Sequence, residues 1–150
     1  MLGSRSRLAT VALTAVLMAV AGPAHAAPAT LVSAGPGILV ADGAAVDIPV
    51  TFVCDTDPTL VTAVPVIQLN QRVSDGRIAG GLGNAELSCT HKAQTVTIRV
   101  IPNVMAFNEG TAAATVVLQS CTVQFQCSAE IINTEVELAK GAGSGIVPQR

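Results

Sequence analysis

The stretch Val46-Asp47-Ile48-Pro49-Val50-Thr51-Phe52-Val53-Cys54 decides the fold. Every even position is apolar, whereas Asp47, Pro49 and Thr51 interrupt the odd ones, a period of two that belongs to a strand with one buried face. Pro49 cannot donate a ladder hydrogen bond, so its nitrogen must face an edge or a bulge. Downstream, Ala63–Arg72 puts Ile67 and Leu69 on one side and Gln68, Asn70 and Arg72 on the other, with the phase before Ile67 left open. Ser74-Asp75-Gly76-Arg77 carries an Asp-Gly pair that tolerates positive φ and reads as a hairpin turn. Gly80-Gly81-Leu82-Gly83 reads as a further break.

The remaining runs repeat the same period. Ala85, Leu87 and Cys89 alternate with polar neighbours, and so do Val96, Ile98 and Val100, so both segments are expected as strands. Thr111–Gln119 places Ala112, Ala114, Val116 and Leu118 on one face, the small alanines implying close approach of an opposing sheet. Ser128–Leu138 changes phase near Ile131-Ile132, as a bulge would make it do. Ala27–Ser33 is expected to begin the first strand. No heptad, helical period or internal repeat competes with this pattern. The expectation is an all-β domain over residues 27–139, a two-sheet antiparallel immunoglobulin-like sandwich of about seven strands, with a small closed barrel as the alternative. Residues 140–150, with Gly141, Gly143, Ser144 and Gly145, read as a flexible tail.

Ahead of the strands, Arg5 and Arg7 precede an apolar run from Leu8 to Ala21 and then Ala24-His25-Ala26. Basic residues, a short apolar core and small residues at the cut are the pattern of a secretory signal peptide, so residues 1–26 are expected to be removed. The run is shorter than the roughly 20 residues a helix needs to cross the hydrocarbon core, so no membrane span is expected after processing. With no Cys near the cut to carry a lipid, the expected location is extracellular.

Eight basic and ten acidic residues give a net charge of −2. Loss of Arg5 and Arg7 makes the remainder more acidic still. Nucleic acid is excluded as a partner on this reading, because phosphate neutralisation needs a Lys/Arg patch and single-strand binders add stacking aromatics. Here Arg72, Arg77, Lys92 and Arg99 are scattered, and the aromatics are Phe52, Phe107 and Phe125, with no Trp or Tyr. The excess of Arg over Lys and the abundance of Ala point to a GC-rich bacterial genome.

Taken together, the signal peptide, Val-Thr-Phe-Val-Cys54, Leu69-Asn-Gln71-Arg72-Val73 running into Gly76-Arg77-Ile78-Ala79, Leu87-Ser-Cys89-Thr-His followed by Gln94-Thr-Val-Thr-Ile, and Gly110 leading to Cys121 and Cys127 resemble small secreted actinobacterial immunoglobulin-like domains of unknown function. That resemblance implies a fold and a compartment and lends no catalytic residue. A looser likeness is to chromoprotein apoproteins of the neocarzinostatin type, secreted acidic sandwiches with two disulfides, whose second bridge the Cys121–Cys127 loop resembles. The long stretch between Cys54 and Cys89 departs from their short first loop.

Four cysteines in an exported chain read as two disulfides. Cys54 shares the face of Val46, Ile48, Val50 and Phe52, and Cys89 that of Ala85 and Leu87, so both are expected to point inward. Cys121 falls on the opposite parity to Ala112 through Leu118. The expected pairs are therefore Cys54–Cys89 and Cys121–Cys127, with Cys54–Cys121 as the alternative. Cys89, His91, Cys121 and Cys127 fit zinc spacing poorly. Asp55 and Asp57 supply two oxygens where calcium needs six to eight.

Nucleophilic catalysis needs a base held beside the nucleophile, and His91 is the sole histidine after residue 26, in a turn-like Thr90-His91-Lys92. The serine of Gly141-Ala-Gly-Ser144-Gly lacks the pattern of a nucleophile elbow. Glu130, Glu135 and Glu137 are the acids to weigh for glycoside hydrolysis, with no aromatic platform for a sugar. The sequence reading is thus a secreted, non-catalytic binding or structural module without metal or cofactor, its partner an unknown protein or cell-envelope component. Gln68, Asn70 and Arg72 form its expected contact face. The alternative is a carrier of a small apolar ligand.

Overall fold

The computed structural model of the chain describes residues 29–54 and 60–141. The expected signal peptide, Asp55 and Asp57, and residues 142–150 of the expected tail lie outside them. The elements are β1 (Ala29–Ala34), β2 (Gly37–Val40), β3 (Ala45–Cys54), β4 (Leu60–Arg72), β5 (Ile78–Asn84), β6 (Ala93–Pro102), β7 (Gly110–Thr122) and β8 (Cys127–Lys140). A turn of 3-10 helix at Ser74–Gly76 closes the β4–β5 hairpin where Asp-Gly predicts it, with Gly76 at φ 73°. No α-helix occurs among the described residues.

β3, whose alternation opens the sequence argument, is the hub. One edge pairs with β6 from Val46↔Val100 to Val53↔Ala93. The other edge is shared: β1 pairs with its C-terminal half and β2 with its N-terminal end. β2, a four-residue strand too short to announce itself by periodicity, also runs parallel to the end of β8, from Gly37↔Leu138 to Leu39↔Lys140. β8, β7, β4 and β5 follow as antiparallel neighbours, and β5 meets β6 at Gly81↔Pro102 and Leu82↔Ile101. The hydrogen bonding therefore closes a ring, β3–β2–β8–β7–β4–β5–β6, with β1 added beside β3. Closure, the alternative on the sequence reading, is made at two narrow seams, β2–β8 and β5–β6.

Gly80–Gly83 is not the break that its composition predicts but the middle of β5, and closure explains its glycines. A Cβ on Gly81 would press into the carbonyl of Ile101, and one on Gly83 into that of Arg99. β6 can cross this close only where β5 carries no side chain, as at the tight corner of a barrel.

Of the strand prolines, Pro49 and Pro65 sit where a ladder stops. The carbonyl of Pro49 accepts from Gly35 N–H at 2.8 Å. A residue's N and C=O face the same side of a strand, so its donor-less nitrogen faces the Gly35-Pro36 gap between β1 and β2. Pro65 is buried, and its carbonyl accepts from Ala85 N–H at 3.4 Å, so its nitrogen faces the line of β5 just where β5 ends. The strand expected over Ala85–Cys89 therefore does not form. That segment keeps the alternation, Ala85, Leu87 and Cys89 half-buried and Glu86 and Ser88 exposed, but has no ladder partner. Gln94 Nε2 donates to Ser88 O at 2.6 Å instead.

The barrel is filled rather than hollow. Val46, Ile48, Val50 and Phe52 of β3 meet Ile67 and Leu69 of β4, Ile98 and Val100 of β6, and Ala112, Ala114, Val116 and Leu118 of β7, all buried. Small barrels have interiors just wide enough for side chains to fill. In β4 the open phase resolves with the odd positions inward from Ala63 to Gln71. In β8 no bulge occurs at Ile131-Ile132. The register with β7 is continuous from Gly110↔Leu138 to Cys121↔Cys127, and Ile131 is simply an apolar residue on the outer face. Lys140 belongs to β8 rather than to the tail.

Candidate functional site

Thirteen residues of β7 separate the two ends of the barrel, about 40 Å at roughly 3.3 Å per residue. One end carries the β6–β7 loop, the β2–β3 turn and the β4–β5 hairpin. The other carries the N-terminal end of β1, the segment leading into β6 and the β7–β8 hairpin.

Both disulfides lie at this second end. Cys54 is bonded to Cys89 with Cα atoms 5.1 Å apart, and Cys121 to Cys127 with Cα atoms 4.1 Å apart, the pairs that side-chain parity predicts. Cys54 is buried at the close of β3, and His91 N–H donates to its carbonyl at 3.1 Å. This pins the unladdered segment to the barrel twice within three residues. Cys121 and Cys127 face each other across β7 and β8, one pair from the hairpin tip. Beneath them Ser120 Oγ and Ser128 Oγ lie 2.9 Å apart.

The tip itself is a three-residue loop, Val123-Gln124-Phe125, closed by Phe125 N–H to Thr122 O at 2.9 Å and Thr122 N–H to Gln126 O at 3.0 Å. Such loops need a left-handed residue in the last position, which glycine normally supplies. Here Phe125 takes it, at φ 59°. A bulky side chain in that region is a genuine conformational outlier. Phe125 is also 92% exposed and Val123 52%, whereas Phe52 and Phe107 are buried. Sequence reasoning grouped the three phenylalanines together. The signal that separates them is local: an aromatic between two polar glutamines inside a tight Cys-to-Cys loop has no route into a core.

The row Gln68, Asn70 and Arg72 points outward from β4, Gln68 and Arg72 exposed and Asn70 half-buried. Across the ladders its neighbours are Thr115, Ala113 and the polar face of β7 on one side, and Leu82, Gly80 and Ile78 of β5 on the other. Leu82 and Ile78 are themselves exposed, so the row borders apolar surface. It lies on the barrel wall, away from the cysteines.

Among the described residues, those weighed for chemistry do not converge. His91 is exposed, at φ 58°. Glu135 and Glu137 share the outer face of β8, Glu137 accepting from Thr111 Oγ1 at 2.6 Å. Glu130 has the opposite parity, and its carboxylate accepts Leu31 N–H of β1 at 2.9 Å. That satisfies an edge donor beside the β1 bulge between Leu31 and Ser33. Among the described residues no group of three or more His, Cys, Asp or Glu side chains could hold a metal ion. No described helix is long and apolar enough to cross a membrane.

Asp47 and Arg99 are directly opposed across β3 and β6, and their two N–H···O contacts are each 2.7 Å. The hydrogen bond from the guanidinium, aided by its charge, holds the Asp47 carboxyl below its ordinary pKa, and the carboxylate raises that of Arg99. The pair is an ion-paired rung of the wall rather than a reactive centre.

No protein-family profile matches the sequence, and no curated protein matches it.

Proposed function

We propose that this chain is an exported, non-catalytic binding module that meets a protein partner through its disulfide-braced end. The observation that carries this reading is Phe125: the sole exposed aromatic of the chain, set at a hairpin tip in a strained backbone position and locked there by the adjacent disulfide. Strain of this kind costs of order 1–3 kcal/mol and persists where the surroundings over-determine it. With the backbone held by the hairpin hydrogen bonds and the neighbouring disulfide, only the side-chain torsions of Phe125 remain to be ordered on binding, which favours it as an anchor. The filled interior supports a surface role over carriage of a small apolar molecule within the barrel.

The finer architecture proposed is immunoglobulin-like, in keeping with the resemblance to small secreted actinobacterial domains. Counting both the two-residue β5–β6 contact and the three-residue β2–β3 contact as edge bridges leaves β1–β3–β6 and β2–β8–β7–β4–β5 as the two sheets of this reading. An extracellular setting accounts for the two disulfides.

Native mass spectrometry of the chain purified from culture supernatant tests the reading. The expected spectrum contains chains beginning at Ala27 and no retained small molecule. A co-purified apolar ligand would overturn it in favour of a carrier, and a hydrolytic activity lost on His91→Ala would overturn it in favour of an enzyme.

A further inference from the structure

Outward side chains cross the β8–β7–β4 wall in rows whose levels the two ladders fix. Ile131, Val117 and Val66 make one row, Ile131 58% exposed and Val66 36%. Next come Asn133, Thr115 and Gln68, then Glu135, Ala113 and Asn70. Two residues on, at the level of Glu137 and Thr111, β4 carries Arg72. In every row the β8 residue thus matches the β4 residue: apolar with apolar, amide with amide, carboxylate with amide, carboxylate with guanidinium. A two-fold axis laid along β7 exchanges β8 of one copy with β4 of another and keeps each row at its own level. We propose that this face binds a second copy of the chain about such an axis, with Glu137 of each copy meeting Arg72 of the other.

Charge selects both the occupant and the axis. Among the described residues Arg72, Glu135 and Glu137 form no ion pair within their own chain. The axis on β7 supplies each with a partner of opposite charge or an amide. An axis between β7 and β4 would instead set β8 over β5, bringing Glu137 over Ile78, Glu135 over Gly80 and Asn133 over Leu82. That arrangement desolvates two carboxylates with nothing to pair them. Thr111 Oγ1 already holds Glu137 at 2.6 Å and Thr115 Oγ1 holds Asn133 Oδ1 at 2.7 Å, so these side chains have less freedom to lose on binding. Three strands present a face of about 14 Å by 30 Å, on the order of 800 Å² for two copies in flat projection. Side-chain relief and the flanking β5 raise this to about 1,000 Å², the lower limit for a specific interface, so the dimer is weak. An isologous contact uses the same patch on both copies and stops at two. Because the axis runs along the strands, both Phe125 tips lie at the same end of the dimer, outside the contact.

Sedimentation of the chain purified from culture supernatant, from micromolar to millimolar concentration, tests it. The weight-average mass is expected to rise with concentration and level off at two chains. Arg72→Glu sets a carboxylate against Glu137 of the second copy, and Glu137→Arg sets a guanidinium against its Arg72. Each should raise the dissociation constant by at least about tenfold while the monomer keeps its melting temperature, since both side chains are exposed. Mixing the two variants is the decisive step. One chain then carries carboxylates at both positions and the other guanidiniums at both, so the mixed dimer alone has two attractive pairs. The mixture should dimerise about as tightly as the wild-type chain, and so should the double variant Arg72→Glu with Glu137→Arg on its own. Ile131→Asp, in the apolar row, should weaken every one of these dimers. A monomer at every concentration, assembly beyond two chains, single reversals that dimerise like the wild type, or a mixture that stays monomeric would overturn the proposal.

Discussion

At one end of the barrel the chain is closed by covalent bonds, at the other by a phenylalanine and an amide. Pro65 stops the β4–β5 ladder at the disulfide end, and the chain from Ala85 to Lys92 then runs without a strand partner, so Cys89–Cys54 adds a covalent cross-link, beside the His91 N–H to Cys54 O hydrogen bond, where no ladder forms. At the opposite end Phe107 turns from the β6–β7 loop into the core, its N–H donating to Gly43 O at 3.0 Å. Gln71, buried at the end of β4, holds the next residue at two points, Nε2 to Asn108 O and Asn108 N–H to Oε1, both 2.8 Å. Gly43 is at φ 85°, and a Cβ there would run into the Phe107 carbonyl. The disulfides act largely by restricting the unfolded chain, whereas Phe107 and Gln71 act through the folded state. The two ends should therefore fail under different insults.

The largest separation of the two is expected from Phe107→Ala. Truncating a fully buried Phe costs about 3–5 kcal/mol, and the loss should leave both disulfides intact by peptide mapping while the melting temperature falls sharply. Replacing both Cys54 and Cys89 with Ser comes next, at most about 4 kcal/mol on loop-closure entropy; the same change at Cys121 and Cys127, which close a shorter loop, should cost about 2 kcal/mol. Reductant should reproduce the cysteine results in the wild-type chain and leave the stability of each Ser variant lower only by its remaining bridge. If reduction costs nothing measurable, the covalent end is held by packing like the other.

Gln71→Leu is smaller again. It keeps the volume but leaves the Asn108 backbone groups without their partner, a penalty of about 1–3 kcal/mol that water reduces because Asn108 is exposed. Hydrogen exchange should show faster protection loss at residues 103–109 and none at the braced end. Equal acceleration at both ends would mean that the two are one cooperative unit.

These contrasts show which parts of the molecule were legible in sequence. The faces of β3, β6 and β7 were, since one buried side imposes a period of two over nine or more residues. Cysteine parity gave both bridges for the same reason. Closure was not, because its evidence is non-local: Gly81 and Gly83 look like a break until β6 lies against them, and β2 is too short to show a period. Ala85–Cys89 shows the converse, alternation without a ladder, where the deciding residue is Pro65, twenty positions away. The apparent phase change at Ile131-Ile132 came from an apolar side chain on the outer face, which costs a strand little. Of the candidate site, Gln68, Asn70 and Arg72 were placed outward correctly, but Phe125 was not distinguished. Its isolation depends on a turn whose left-handed position glycine should occupy.

The smallest expected effect concerns the Asp47–Arg99 rung, which lies in the half of the β3–β6 seam nearer the end without disulfides. Asp47 has a folded-state pKa below its ordinary 3.8, so the unfolded chain takes up the proton first as the pH falls. The pair's contribution is therefore fully present above that unfolded value and is lost as the pH drops through the depressed folded one. Solvent screens it: the Asp47 side chain is 23% exposed and that of Arg99 59%, and surface pairs of this kind contribute little. Melting temperature should be flat on this account from neutral pH to about 4 and decline below it, and Asp47→Asn should remove that part of the decline. High salt should shrink the difference between wild type and variant at neutral pH. Because the cysteine bridges do not titrate, exchange at low pH should quicken first beside Ala45 and Val100 rather than beside Cys54. Acid that loosened the Cys54 end first would reverse the assignment of the weaker end.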